Sequence, residues 1–155
     1  MEVIISWVAA VVSVGSLIVS VYTVVWTRLH DRRQATLEAV NRLQAEVFDE
    51  LNKCSPSKIE KECSDIHSAE YKKIGGYMSR INHFAVGAFQ KIYDKKTFYK
   101  LAHGYFDGDT MKKKLFKIIE IKNSNKKNEE TYYEATRNLL EWMDKYGEKN
   151  KKRKS

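Results

Sequence analysis

Residues 3–27 carry no charged side chain, and Glu2 is the only charged residue before them. The run is mostly Val, Ile, Ala and Leu. As a helix it rises about 37 Å, enough to cross a hydrocarbon core of about 30 Å with some tilt. A lone segment in lipid must be helical, because only helices and closed barrels satisfy every backbone polar group there. The β-branched residues, which would favour a strand in water, therefore do not decide its structure. Trp7 stands near one boundary, and Tyr22 and Trp26 stand near the other, as an aromatic belt requires. A secretory signal would open on a basic segment and carry a shorter apolar run of about 7–15 residues. Here the start is Met1-Glu2 and the run is longer, so a retained transmembrane anchor is expected over residues 1–27.

Orientation follows from the flanks. Arg28, Arg32 and Arg33 follow the run, with Asp31 between them. Basic flanks stay on the cytoplasmic side, so the expected topology is single-pass in the cell membrane, N-terminus outside and C-terminal domain cytoplasmic. Within the run, Ser6, Ala9, Ser13, Ser16, Ser20, Thr23 and Thr27 fall on one stripe at alternating steps of three and four. That is the seam of a left-handed helix pair, where small residues let backbones approach and hydroxyls bond across. The stripe suits transmembrane self-association as a homodimer. Its alternative is an ordinary anchor whose hydroxyls bond back to their own i−4 carbonyls.

The chain has 155 residues, with 28 Lys plus Arg against 20 Asp plus Glu and a formal charge of +8. One membrane segment and one small domain exhaust that length, which excludes a multi-domain enzyme. Cys54 and Cys63 would sit in a reducing cytoplasm, where a structural disulfide is not expected. With His67 they read C-x8-C-x3-H, which misses paired zinc-ligand spacing and lacks a fourth ligand. His83 has no acidic residue at i+4, and His103, with Asp107 at that spacing, has no nearby nucleophile. No nucleophile elbow, P-loop or H-E-x-x-H motif occurs. Asp107-Gly108-Asp109 suggests a calcium loop, but its twelfth position is Ile118 where a bidentate Glu is needed. No enzyme chemistry, metal or cofactor is expected.

Residues 28–147 read as a cytoplasmic helical domain. Leu37, Val40, Leu43, Val47 and Leu51 continue a helical stripe, so the anchor helix should run on as one rod. Ser55-Pro56 marks a stop and a new start, with a short helix over 58–64. Tyr71, Ile74, Met78, Ile81, Ala85, Ala88 and Ile92 give the clearest period in the chain, and Gly75-Gly76 within it points to a break or a close helix crossing. Residues 94–97 read as a turn, with short helices over 98–103 and 110–122. Residues 123–128 read as a loop. The last helix opens at Glu129-Glu130, buries Tyr132, Ala135, Leu139, Leu140, Met143 and Tyr146, and ends at Gly147. The fold class is all-α: a single N-terminal transmembrane helix continuing into a small cytoplasmic helical bundle. Residues 148–155 read as a disordered basic tail. There Lys149, Lys151, Lys152, Arg153 and Lys154 could contact anionic lipid. Basic residues elsewhere are spread over several helices without a recognition motif, so nucleic acid is not an expected partner.

Certain stretches carry a resemblance: Ile81-Asn82-His83-Phe84-Ala85-Val86-Gly87, Ile92-Tyr93-Asp94, Leu101-Ala102-His103-Gly104-Tyr105-Phe106, Tyr132-Tyr133 and Leu139-Leu140-Glu141-Trp142. Over roughly residues 28–146 the chain resembles the bacterial and phage domain-of-unknown-function family numbered 4760. Members of that family often join an N-terminal membrane helix to a small helical domain. The resemblance implies fold and anchoring, and brings no established activity. The functional expectation is a single-pass membrane protein that presents a cytoplasmic helical domain to an unknown protein partner. The alternative is a membrane-acting effector of phage defence, or a phage-encoded membrane protein.

Overall fold

A computed structural model describes residues 2–106, 110–124 and 133–152, with side chains placed from residue 10 onward and at Trp7, except at Ser64. Every element is helical, and no strand occurs among the described residues. Helix α1 spans Glu2–Leu43, so the apolar run and the first bundle helix are one rod, as the uninterrupted periodicity requires. It passes directly into a π-helical segment, Gln44–Phe48, and then α2, Asp49–Lys53. The wider π turn is closed by Asp49 N–H donating to the Gln44 carbonyl. It turns both Val47 and Phe48 fully into the core.

Helix α3 (Pro56–Ser64) opens on the Ser55 hydroxyl, which accepts from Lys58 N–H at 3.2 Å, and Pro56 needs no donor in the first turn. Helix α4 (Ala69–Phe89) opens on Ser68 in the same way, with Tyr71 N–H at 2.9 Å. Gly75-Gly76 does not break it. Instead Gly75 admits a close crossing, because a Cβ there would lie 3.2 Å from Lys122 Nζ. Helix α4 lies antiparallel to α1: Lys73 faces Glu50 at 3.7 Å, and Arg80 meets Glu46 at 2.7 Å. Helix α5 (Lys95–Phe106) turns back along the rod until Phe48 meets Tyr105 and Phe106, with ring centroids 5.3 and 5.6 Å apart. Helices α6 (Thr110–Ser124) and α7 (Glu134–Lys152) close the bundle.

The core gathers Val40, Val47, Phe48, Leu51, Ile59, Met78, Phe98, Met111, Leu115, Ile118 and Leu139 from all these elements. Two sequence expectations change here. Leu37 is 43% exposed, and Thr36 takes the inward position because its hydroxyl finds two partners there. Ile92 is 54% exposed, because α4 stops at Phe89 and the following turn carries Ile92 off the stripe.

A buried lysine adds to the C-terminal cap of α2, where Cys54 N–H already donates to the Leu51 carbonyl at 3.2 Å. Lys114 Nζ donates to the Leu51 and Asn52 carbonyls at 3.0 and 3.3 Å, satisfying the end of α2. The Asn82 side-chain oxygen accepts from Thr136 N–H and hydroxyl at 3.1 and 3.2 Å, fixing the start of α7 from another helix. Gly104 does not end α5, and Gly147 does not end α7. The tail expectation is corrected over 148–152: Lys149, Lys151 and Lys152 continue α7 as exposed helix, where cations favour the negative end of the dipole. Arg153 and Lys154 lie outside the described residues, as do the proposed loop trio 107–109 and the helix opening at Glu129-Glu130.

The turn after α4 generates a prediction. A Cβ on Gly87 would lie 2.7 and 2.8 Å from ring atoms of Tyr93, whose ring is stacked on Phe84 at 4.7 Å and cannot retreat. Gly87→Ala should therefore cost about 1–3 kcal/mol, read as a melting point several degrees below wild type by circular dichroism in mild detergent.

Candidate functional site

The first surface that stands out is the rod itself. From Ala10 to Gln34 every residue of α1 is exposed. A dozen large apolar or aromatic side chains from Trp7 to Trp26 are 51–69% exposed. Burying one such side chain is worth roughly 1.5–3 kcal/mol, so this face needs a partner medium. The helix is long and apolar enough to cross a membrane. Bundle packing on α1 begins only at Ala35 and Thr36.

On the rod, Ser13, Ser16, Ser20, Thr23 and Thr27 are exposed along one stripe, while the side chains of Ser6 and Ala9 lie outside the described residues. Three of the hydroxyls bond back to their own helix: Ser16 to the Val12 carbonyl at 2.9 Å, Ser20 to Ser16 at 2.8 Å, and Thr23 to Val19 at 2.8 Å. The sequence left this arrangement open beside the cross-helix one.

Where the rod meets the bundle, a cleft of about 780 Å³ opens between α1, the α4–α5 turn and α7. Arg32, Arg33, Lys91, Lys95, Lys96 and Lys100 line it, against Asp94 as the one lining carboxylate. Asp94 is already engaged, since its Oδ1 accepts from Thr97 N–H at 2.7 Å and caps α5. Trp142 and Tyr146 of α7 complete the wall, stacked on each other at 5.0 Å. Lys95 Nζ lies 4.5 Å from the centroid of Phe89 and 5.3 Å from that of Trp142. Two hydrogen bonds tie the α4–α5 turn to α1: Thr36 Oγ1 donates to the Arg32 carbonyl at 2.6 Å and accepts from Asp94 N–H at 2.8 Å.

A second cleft, about 390 Å³, lies between α1 and α4 beside Arg42 and exposed His83. Its Arg80–Glu46 pair compensates charge across it, unlike the basic cleft. His103 lies elsewhere, its Nδ1 2.9 Å from the Lys100 carbonyl and its ring stacked on Tyr99. Cys54 and Cys63 are both free thiols. Burial pushes the Cys63 thiol up, away from the reactive thiolate.

These motif stretches have structural roles. Asn82, Phe84, Gly87, Tyr93 and Asp94 hold α4, α5 and α7 together around the foot of the rod. The family model described as Domain of unknown function (DUF4760) matches residues 10–143. The chain belongs to the DUF4760 family. The resemblance seen in the sequence is thus borne out, and the match takes in most of α1 as well as the bundle. No curated protein and no solved structure matches the chain. The basic cleft was not legible as a site, because its cations come from two stretches some sixty residues apart whose approach depends on Thr36 and Asp94.

Lys122 is the buried amine most open to test. Its Nζ donates to the Tyr71 carbonyl at 3.0 Å and lies over the Tyr71 ring. Burial holds its pKa below that of an ordinary lysine, while nearby Cys63 opposes that shift. Between the folded value and 10.5 the unfolded chain binds more protons at this site, so stability rises with pH through that window. The cost is fully present below the folded value. Wild type should therefore gain melting temperature relative to Lys122→Met as pH rises from neutral toward 10.5. A difference independent of pH would show the amine to be ordinarily solvated.

Proposed function

We propose that this DUF4760 protein is a single-pass membrane protein whose α1 inserts in the bilayer and whose helical bundle serves as an interaction domain on the cytoplasmic side. The observation that carries this reading is the exposed, uncharged stretch of α1 from Ala10 to Thr27, which the bundle does nothing to cover. A buried core helix passes the same test of length and apolarity, but such a helix is enclosed by its own protein. Tyr22 and Trp26, stacked at 6.2 Å, sit at the end nearest the arginines, as interfacial anchors do. Arg28, Arg32 and Arg33 support an inward-facing C-terminal domain.

Full-length protein should remain in the membrane pellet through a carbonate wash and require detergent for release. A reporter active only outside the cell should stay silent when fused after Ser155. Release by carbonate alone overturns insertion, and an active reporter overturns the orientation. Loss of membrane potential on expression would move the protein from a scaffold to a membrane-acting effector.

Self-association along the stripe is part of the same proposal, carried by backbone proximity at small residues rather than by the Ser16, Ser20 and Thr23 hydroxyls. Ser13→Ile with Ser16→Ile should cut in-membrane crosslinking severalfold. Unchanged crosslinking yields would remove the stripe from the interface.

A further inference from the structure

We propose that the basic cleft at the foot of α1 binds the phosphate of an anionic phospholipid headgroup, with Arg33, Lys91, Lys95 and Lys96 as its contacts. The proposal rests on insertion of α1, as argued above.

Charge is the first reason. Among the described residues none of the six lining cations forms an ion pair, whereas Arg80, Lys53, Lys112 and Lys117 each hold a carboxylate. Unneutralised like charges brought together by folding repel one another, and an anion between them relieves that repulsion. Arginine grips a phosphate through two parallel N–H bonds, and lysines add compact charge. A cleft of about 780 Å³ accommodates a headgroup without closing over it.

Depth is the second. Leu29 and Arg33 both line the cleft and lie two and six residues beyond Thr27. On a straight helix that is about 3 to 9 Å past the end of the apolar run. A bilayer's polar layer occupies about 5–8 Å on each side of its hydrocarbon core. The cleft thus opens at headgroup level. Phe89 and Ile92, 41% and 54% exposed, adjoin its lysines, Phe89 under Lys95 at 4.5 Å and Ile92 next to Lys91 in the chain, the apolar and basic mixture that suits an interface.

Backbone strain is the third. The Ile92 N–H donates to the Gly87 carbonyl at 2.8 Å, closing α4 in a six-to-one turn whose left-handed position normally holds glycine. Lys91 occupies that position with φ 63°. A strained residue that lines an uncompensated cleft is kept for its side chain rather than for its backbone.

The test uses the full chain with Trp7→Phe and Trp26→Phe, which leaves Trp142 of the cleft as the sole tryptophan among three. It is placed in phosphatidylcholine nanodiscs containing increasing phosphatidylglycerol. Trp142 emission should shift saturably with the anionic fraction. Lys91→Gly combined with Lys95→Gln and Lys96→Gln should weaken the response at least about tenfold. Lys149→Gln, Lys151→Gln and Lys152→Gln together remove equal charge from the end of α7 and should weaken it far less. Lys91→Gly alone should weaken binding while its melting temperature stays at or above wild type, which separates binding from folding.

Equal loss in the two triple variants, or a response that never saturates, overturns the site in favour of diffuse surface charge. A full response to inorganic phosphate in pure phosphatidylcholine, with none from phosphatidylglycerol, overturns the headgroup assignment in favour of a soluble anion. Co-elution with the discs reports insertion separately. Protein that enters the discs but ignores phosphatidylglycerol therefore sinks the cleft and leaves the anchor standing.

Discussion

The Thr36 hydroxyl is the joint on which the foot of the rod depends. It is fully buried, donates to the Arg32 carbonyl one turn earlier, and accepts from the Asp94 backbone of a turn fifty-eight residues later. A buried backbone N–H left without a partner costs about 1–3 kcal/mol, so the α4–α5 turn is held where that hydroxyl is. Everything at the foot of the rod follows. Asp94 caps α5, Phe84 stacks on Tyr93, and Gly87 has no side chain so that the ring can lie there. Valine would keep the shape of Thr36 and lose the joint.

The same joint creates an electrostatic asymmetry. Away from the foot of the rod, surface lysines and arginines meet carboxylates across helices, as Lys117 meets Glu60 and Arg80 meets Glu46. Those exposed pairs contribute little each. At the foot, arginines of α1 and lysines of the turn converge without such partners. Folding alone gains nothing by that arrangement. Two buried lysines show the contrast from inside: Lys114 and Lys122 are spent on backbone carbonyls, and their charges serve the ends and crossings of helices.

Much of this architecture was legible in the sequence. The uncharged run, the periodicity of α4 and the Ser55-Pro56 signal place the rod, the main packing helix and one helix start, because each depends only on near neighbours in the chain; α5 begins at Lys95, inside the stretch read as a turn. The failures share a cause. Leu37 and Ile92 fit the apolar period but face solvent, since Thr36 and the early stop of α4 are settled by tertiary partners. The π turn at Gln44–Phe48 leaves no local signature, and it decides that Val47 and Phe48 both point inward. Helix α7 runs through Gly147 because Tyr99 packs against that glycine, with its hydroxyl 3.0 Å from where a Cβ would stand. The cleft was the least legible feature, since it exists only where three segments meet.

Rigidity connects these parts. Between Thr27, where the uncharged run ends, and Thr36, where packing begins, α1 contains neither glycine nor proline. Those nine residues rise about 14 Å as continuous helix, too short and too well bonded to act as a swivel. With α1 inserted as proposed, a tilt of its apolar segment would be transmitted to the bundle. On that proposal the bundle could not turn its basic cleft away from a lipid surface without bending α1 or breaking the contact at Thr36. A flexible linker would have let the domain tumble, and cations at its foot would then face lipid only part of the time. Continuity of one helix makes their approach to the surface a fixed consequence of insertion.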